Sequence, residues 1–357
     1  MCLIASHEPR EVGRDHIGGM VKRHQHSRLV QPAGTLNSDG PGLSGIVVPM
    51  KEGALVLADC LGFKGIWNRV DPEKLIDRLK AIEADAVSRV VPKYSSSMLS
   101  FGAIRFHFRL LSDTVVLSIQ YEAAAYAQGQ EPDERQKNLL VSVACESASV
   151  LANMFIDSDI PLPLRGCVSF GPHMCEGNFL VGPAIDQAAE YMNEPEGAFI
   201  WALPGVAERH LIFRARSLAL LDHPGQTIMA ATAIAADRGV GAAKKLLEHP
   251  EADSDLFVEA LRLTFAQILA APTLIESYPM PVKRGSIIDA AVINPFMPSR
   301  NDEDRKRIIA KYENSLQGDR IEIWIKRQNT LKFLKLAEIA QAAFLERLSS
   351  GDYPKKT

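Results

Sequence analysis

Five apolar residues in a row, Ala54-Leu55-Val56-Leu57-Ala58, run straight into Asp59. A short apolar run of this kind reads as a strand in the middle of a sheet. Such a strand needs a neighbour on each side and cover over both faces, so the chain must build a layered core around it. Asp59 marks where that core stops. The segment Cys60 to Trp67 then turns through Gly62 into a helix.

The elements that follow have clear punctuation. Asp71 and Pro72 read as N-cap and first residue of a helix, with Glu73 adding a favourable charge in its first turn. Leu75, Ile76, Leu79, Ile82, Ala86 and Val90 recur at helical spacing. The segments 103–108 and 114–119 read as a hairpin with Asp113 at its turn. A long helix is predicted over 132–155, a strand over 166–170, a helix over 182–192, and strands over 198–201 and 287–293. Residues 205–275 read as largely helical. The final residues read as charged, amphipathic helix with one strand at 321–325.

A strand-helix-helix-hairpin-helix-strand order, without a G-x-G-x-x-G fingerprint or a Walker motif, favours α+β over a doubly wound sheet. Three parts are expected. Residues 1–45 form a polar segment rich in Gly, His and Arg without a core of its own. Residues 46–298 form the main folded domain, and 299–357 a helical extension.

With 46% hydrophobic and 23% charged residues, the chain has the balance of a globular protein. The formal net charge of -3 gives no general attraction to nucleic acid or anionic lipid, so any anion site must be local. No stretch reaches the roughly 18 to 20 apolar residues of a membrane span. The five cysteines are scattered and form no C-x-x-C pair, which points to a reducing, cytoplasmic setting. His24 and His26, like His173 and Cys175, lack the further ligands that a metal site requires. Lys326, Arg327, Lys332 and Lys335 read as the solvated face of the terminal helix.

Chemistry concentrates in three places. In Asp59-Cys60-Leu61-Gly62-Phe63 a carboxylate at a strand end precedes a glycine turn into a helix, so acceptor oxygens lie beside free backbone N–H groups. That corner suits a metal–polyphosphate complex, although Asp before a helix is also a common cap. Asp113 is the second place. Its apolar flanks put the hairpin inside a sheet, where a carboxylate without a pair or a metal is costly. Two carboxylates on neighbouring strands can bridge two ions, activating a hydroxyl and neutralising a departing pyrophosphate. The third place is Leu164-Arg165-Gly166 through Gly171, followed by Gly177-Asn178-Phe179 and the helix from Gly182 to Glu190.

Together these pieces resemble the class III nucleotidyl cyclases across roughly residues 50 to 295. The family's D-x-x-G-F metal corner, second Asp, L-R-x-G strand and following helix have counterparts here in order. Pro281-Val282-Lys283-Arg284-Gly285 resembles its closing turn, with Lys283 as phosphate ligand. The resemblance implies a ferredoxin-like, palm-type antiparallel sheet flanked by helices, with extra helices at the C-terminus. It implies two Mg²⁺ or Mn²⁺ ions held by Asp59, Asp113 and the Cys60 carbonyl, with Leu61, Gly62 and Phe63 around the phosphates. It also implies a two-fold homodimer.

The base-reading positions depart from the purine pattern: they hold Arg109 and Phe179, which suit the carbonyls and ring of a pyrimidine. The family's catalytic Asn and Arg fall on Asp186 and Glu190, so another cation, Arg165, Arg109 or Lys283, has to stabilise the α-phosphate. The G-P-A-I-D-x-A-A-E string is closer to the bacterial pyrimidine cyclases of Pycsar antiphage systems. It implies that UTP or CTP is converted to a cyclic nucleotide sensed by a separate effector, with no nucleic-acid partner. A module that binds nucleotide without turnover and a purine cyclase remain open alternatives.

Overall fold

The computed structural model describes residues 50–95, 104–121, 132–220, 271–283, 285–299, 301–318 and 320–350. All of them belong to one compact unit, Pro49–Thr357. The expected tail 1–45, with His24 and His26, lies outside the described residues, as does the helical stretch expected over 221–270.

Strand β1 (Lys51–Cys60) is central. It is flanked on one side by β3 (Thr114–Tyr121) and on the other by β4 (Leu164–Glu176), both antiparallel to it. Residues 54–58 are buried on both faces, as the apolar run requires. β2 (Ile104–Leu111) closes the hairpin onto β3. The order β1–α1–β2–β3–α2–β4, laid out as β2-β3-β1-β4, is a ferredoxin-like core. The sheet continues through β6 (Ile200–Ala202), parallel to β4, then β8 (Ile287–Ile293) and β7 (Leu274–Pro281). A short β5 (Phe179–Val181) pairs with the far end of β4. The protein is therefore α+β, a mixed and mainly antiparallel sheet flanked by helices.

The helices form where their caps and apolar stripes put them. α1 (Pro72–Ser95) opens with the Asp71 carboxylate accepting the Glu73 N–H at 2.9 Å. α2 (Glu134–Ile156) starts in a reciprocal capping box, Asp133 with Gln136. By length and composition α2 could cross a membrane, yet it is buried inside the protein. Leu140, Leu151, Phe155 and Ile156 are fully covered, and each such side chain contributes about 1.5–3 kcal/mol. α3 (Pro183–Tyr191) turns Ala184 and Ala188 inward, and α4 (Pro204–Leu220) follows β6.

Two expectations are corrected. The stretch read as helical up to 275 contains β7 from Leu274, whose apolar content is too short to separate from helix by period alone. The strand expected at 321–325 is instead the first turns of α6 (Ile321–Ser350), which follows α5 (Asp302–Ser315). Its Ile-x-Ile-x-Ile alternation mimics a strand, but the segment pairs with no strand among the described residues, and Ile321 and Trp324 stay exposed. Both helices belong to the same compact unit as the sheet. Arg307 and Lys311 of α5 hold Asp157 at 3.0 and 2.8 Å. On α6, Phe333 packs against Phe199 and Tyr278. The Asn294 side-chain amide bridges the Pro272 carbonyl and Gln341 of α6, at 2.7 and 3.3 Å.

His210 on α4 is buried, and neither ring nitrogen has a hydrogen-bond partner among the described residues. Burial, with the charge of Arg214 adding, pulls its pKa from 6.5 down to about 3. The unfolded chain thus binds a proton that the folded one refuses between those values. Stability should fall as pH drops from about 6.5 toward 3, by up to about 1.4 kcal/mol per pH unit from this group. In urea unfolding across that range, His210→Leu is expected to flatten the slope; an unchanged slope would contradict the assignment.

Candidate active site

At the end of β1, Asp59 lies directly between Thr114 of β3 and Arg165 of β4 in the sheet register. β2 and β3 are joined by Ser112 and Asp113 alone. Ser112 carries φ 61°, a left-handed first turn position that matches the twist of a two-residue hairpin. The Asp113 carbonyl accepts the Cys60 N–H at 2.8 Å, so the hairpin tip is tied to the corner itself. Burial pushes the Cys60 thiol pKa up, with the carboxylates of Asp59 and Asp113 adding to the effect. Both charges are thus felt at one point.

The two aspartates differ in what they already hold. Arg165, itself buried, grips Asp59 with two parallel bonds, Nε to Oδ1 at 3.2 Å and Nη2 to Oδ2 at 2.8 Å. The same Nη2 donates to Asn193 Oδ1 at 2.6 Å. A fork of this geometry is the strong form of an Arg–carboxylate pair. Asp113 is half-buried, and its carboxylate has no partner among the described residues. Sequence reasoning did not single out Asn193; a polar residue in a loop carries no signal of what it orients.

The glycine turn is real but its amides are mostly committed. Gly62 sits at φ 77° and its carbonyl accepts Arg69 Nη2 at 3.1 Å. Leu61 N–H donates to the Pro163 carbonyl at 2.8 Å, and Phe63 N–H to the Cys60 carbonyl at 3.4 Å. Of the three amides expected around phosphate, Gly62 alone has no carbonyl partner among the described residues. After this turn only a 3-10 segment, Ile66–Asn68, forms before α1.

Lys283 lies exposed in the β7–β8 turn, its N–H donating to the Glu194 carbonyl at 3.0 Å. Glu194 follows Asn193 directly, so the loop that orients Arg165 also seats the Lys283 turn.

The residues expected to read a base gather elsewhere. Arg109 Nε donates to the Gly177 carbonyl at 3.1 Å and Nη1 to the Phe108 carbonyl at 2.8 Å. Phe179, two residues past Gly177, is 79% exposed. No hydrogen bond or ion pair among the described residues joins either of them to Asp59 or Asp113. Asp186 and Glu190 lie on the exposed face of α3. His173 is buried on β4, with Nε2 2.8 Å from Ser118 Oγ and Nδ1 3.0 Å from the Gly171 carbonyl. Burial lowers its pKa, against the Gly171 carbonyl.

Among the described residues no group of three His, Cys, Asp or Glu side chains could hold a metal ion. Two carboxylates at adjoining strand ends do fit Mg²⁺ or Mn²⁺, which take one or two carboxylates and complete their shell with phosphate and water oxygens. Asp59 would have to share its carboxylate with Arg165.

No protein-family model matches the chain, and neither does any curated protein. Among solved structures, 43 chains match. One is the catalytic core of a rhodopsin-guanylyl cyclase with converted specificity, in complex with ATPαS. It is 10% identical, with 45% of this chain and 81% of that chain covered and a TM-score of 0.32. Another is a bacterial light-regulated adenylyl cyclase, 14% identical, with 46% of each chain covered and a TM-score of 0.29. At these TM-scores the likeness carries no argument about what this chain does.

Proposed function

We propose that the chain is a nucleotidyl cyclase: the 3′-oxygen of a nucleoside triphosphate attacks its own α-phosphorus, a 3′,5′-cyclic nucleotide forms and pyrophosphate leaves. The hydroxyl proton passes to water. The observation that carries this reading is the corner itself. Asp59 near the end of β1 and Asp113 in the adjoining hairpin turn are tied together through the Cys60–Asp113 backbone hydrogen bond, and Asp59 pairs with a buried guanidinium.

Mg²⁺ or Mn²⁺ held by Asp59, Asp113 and the Cys60 carbonyl would, when bound, acidify the hydroxyl and neutralise phosphate charge. The chain's own groups do the rest. Arg165, fixed by Asp59 and Asn193, presents a preorganised cation to the phosphates, and Lys283 with the Gly62 amide faces the leaving pyrophosphate. Arg109 and Phe179 offer a donor-only guanidinium and an exposed ring, which suit the carbonyls and face of uracil or cytosine. Because no hydrogen bond or ion pair among the described residues joins that pair to Asp59, a second copy in a two-fold dimer would bring it to the site. UTP or CTP is the proposed substrate. The product would act in the cytoplasm on a separate cyclic-nucleotide-sensing effector, as in antiphage signalling.

A second reading, nucleotide binding without turnover, is favoured by one feature: exposed Asp186 and Glu190 put acid where the resemblance leads one to expect Asn and Arg. Incubation with Mn²⁺ and each of ATP, GTP, CTP and UTP separates the two. Pyrophosphate release from UTP or CTP, stopped by chelation, is expected. No release from any of the four would leave the binding module, and product from ATP or GTP alone would displace the pyrimidine claim.

A further inference from the structure

The segment from Asn193 to Ala198 is a hub. Asn193 orients Arg165, and the Glu194 carbonyl holds the Lys283 N–H. The Glu196 carbonyl accepts Asn329 Nδ2 at 2.8 Å, while the Ala198 N–H donates to Thr330 Oγ1 at 2.8 Å. The last two bonds dock α6 on the same short stretch that positions two cations of the candidate site. Lys326 precedes Asn329 by three residues and Thr330 by four, and Thr330 Oγ1 donates back to the Lys326 carbonyl at 2.7 Å. Positions three and four apart share a helix face, and side chains lean toward the helix N-terminus. Lys326 is therefore on the docked face, one turn beyond the contact with 196–198.

We propose that Lys326, carried in by α6, is a phosphate-binding residue of the Asp59 corner, acting with Arg165 and Lys283 on the terminal phosphates of a nucleoside triphosphate. The inference rests on the nucleotide reading above and adds to it a binding group from outside the sheet. Electrostatics agree with the placement. Burial lowers the Lys326 pKa, and the charges of Arg165 and Lys283 lower it further, against Asp59 and Glu196. The charges of Arg165 and Lys283 thus reach Lys326 on the docked face, and like charges held near one another are stabilised when an anion arrives between them. Half-buried Lys326 is not part of the solvated stripe expected from the sequence. Lys332 and Lys335, in contrast, are exposed.

The test is calorimetric binding of inorganic tripolyphosphate to the full chain without metal, repeated at two salt concentrations. Lys326→Gln is expected to weaken binding about tenfold, the size of one charge-assisted hydrogen bond, and to flatten its salt dependence. Lys326→Arg should restore both, and Lys335→Gln should change neither. Should the glutamine variant prove unstable, Lys326→Met keeps the aliphatic stem and carries the same expectation. Wild-type affinity in the neutral Lys326 variants, with weakened binding in Lys283→Gln, would remove α6 from the site and leave the nucleotide reading standing. A wild-type protein that binds no tripolyphosphate would overturn the role of Lys326, whereas the nucleotide reading stands or falls on pyrophosphate release.

Discussion

Exchanging Asp113 for asparagine is expected to reduce metal-dependent turnover by about a hundredfold to a thousandfold while the thermal midpoint stays where it is. The carboxylate of Asp113 has no protein partner among the described residues, and its structural tie to Cys60 runs through its backbone carbonyl. No hydrogen bond or ion pair among the described residues depends on its charge. Asp59→Ala is expected to lose activity as fully but to lose stability as well. It would strand the buried Arg165 guanidinium, whose carboxylate partner lies at 2.8 Å, and breaking such a pair from one side costs about 3 kcal/mol or more. Turnover assays together with urea unfolding of both variants separate these outcomes. Equal stability losses, or full activity in Asp113→Asn, would contradict the site.

Gly166→Ala should be the most damaging small substitution in the sheet. Gly166 pairs with Ala58 on one side and with Ile200 on the other. A methyl group there would fall on the Leu57 carbonyl and come within 2.5 Å of the Ala58 Cα. Backbone cannot step aside as a flexible side chain can, so the two strands must separate. A loss of about 3 kcal/mol or more is expected, out of a total that is usually about 5–15. Arg165 and Asp59 sit one residue away on the same pair of strands, so residual folded protein should also bind nucleotide weakly. Circular dichroism on heating gives the first result, and a midpoint near wild type would show that β1 and β4 are less tightly joined than their register implies.

Much of this architecture was legible from local pattern. The β1 run, the two-residue hairpin and the Asp71-Pro72 start all announce themselves, because each is decided by neighbours within a few residues. β5 and β7 did not, since three residues make no period and β7 lacks one that excludes helix. The strand expected at 321–325 failed for the opposite reason: the alternation is present, but it continues into a long helix whose apolar contacts, such as Phe333, decide the segment. At the site, the sequence pointed to Asp59 and Asp113 as a pair. It could not indicate that Asp59 is already held by Arg165, 106 positions away, or that Asn193 fixes that guanidinium. Ion pairs of that separation depend on register, which emerges only once the sheet is assembled.

The hub at 193–198 also sets an order of assembly. Its contacts with α6 join positions 132 and 133 apart, whereas β1, β3 and β4 precede the hub in the chain. Domains fold as units, and the sheet and α6 share one unit, so the corner of Asp59 and Arg165 is complete only after Lys326 has been made. On the proposed role of Lys326, a nascent chain would hold nucleotide poorly until the last helix docks on the hub.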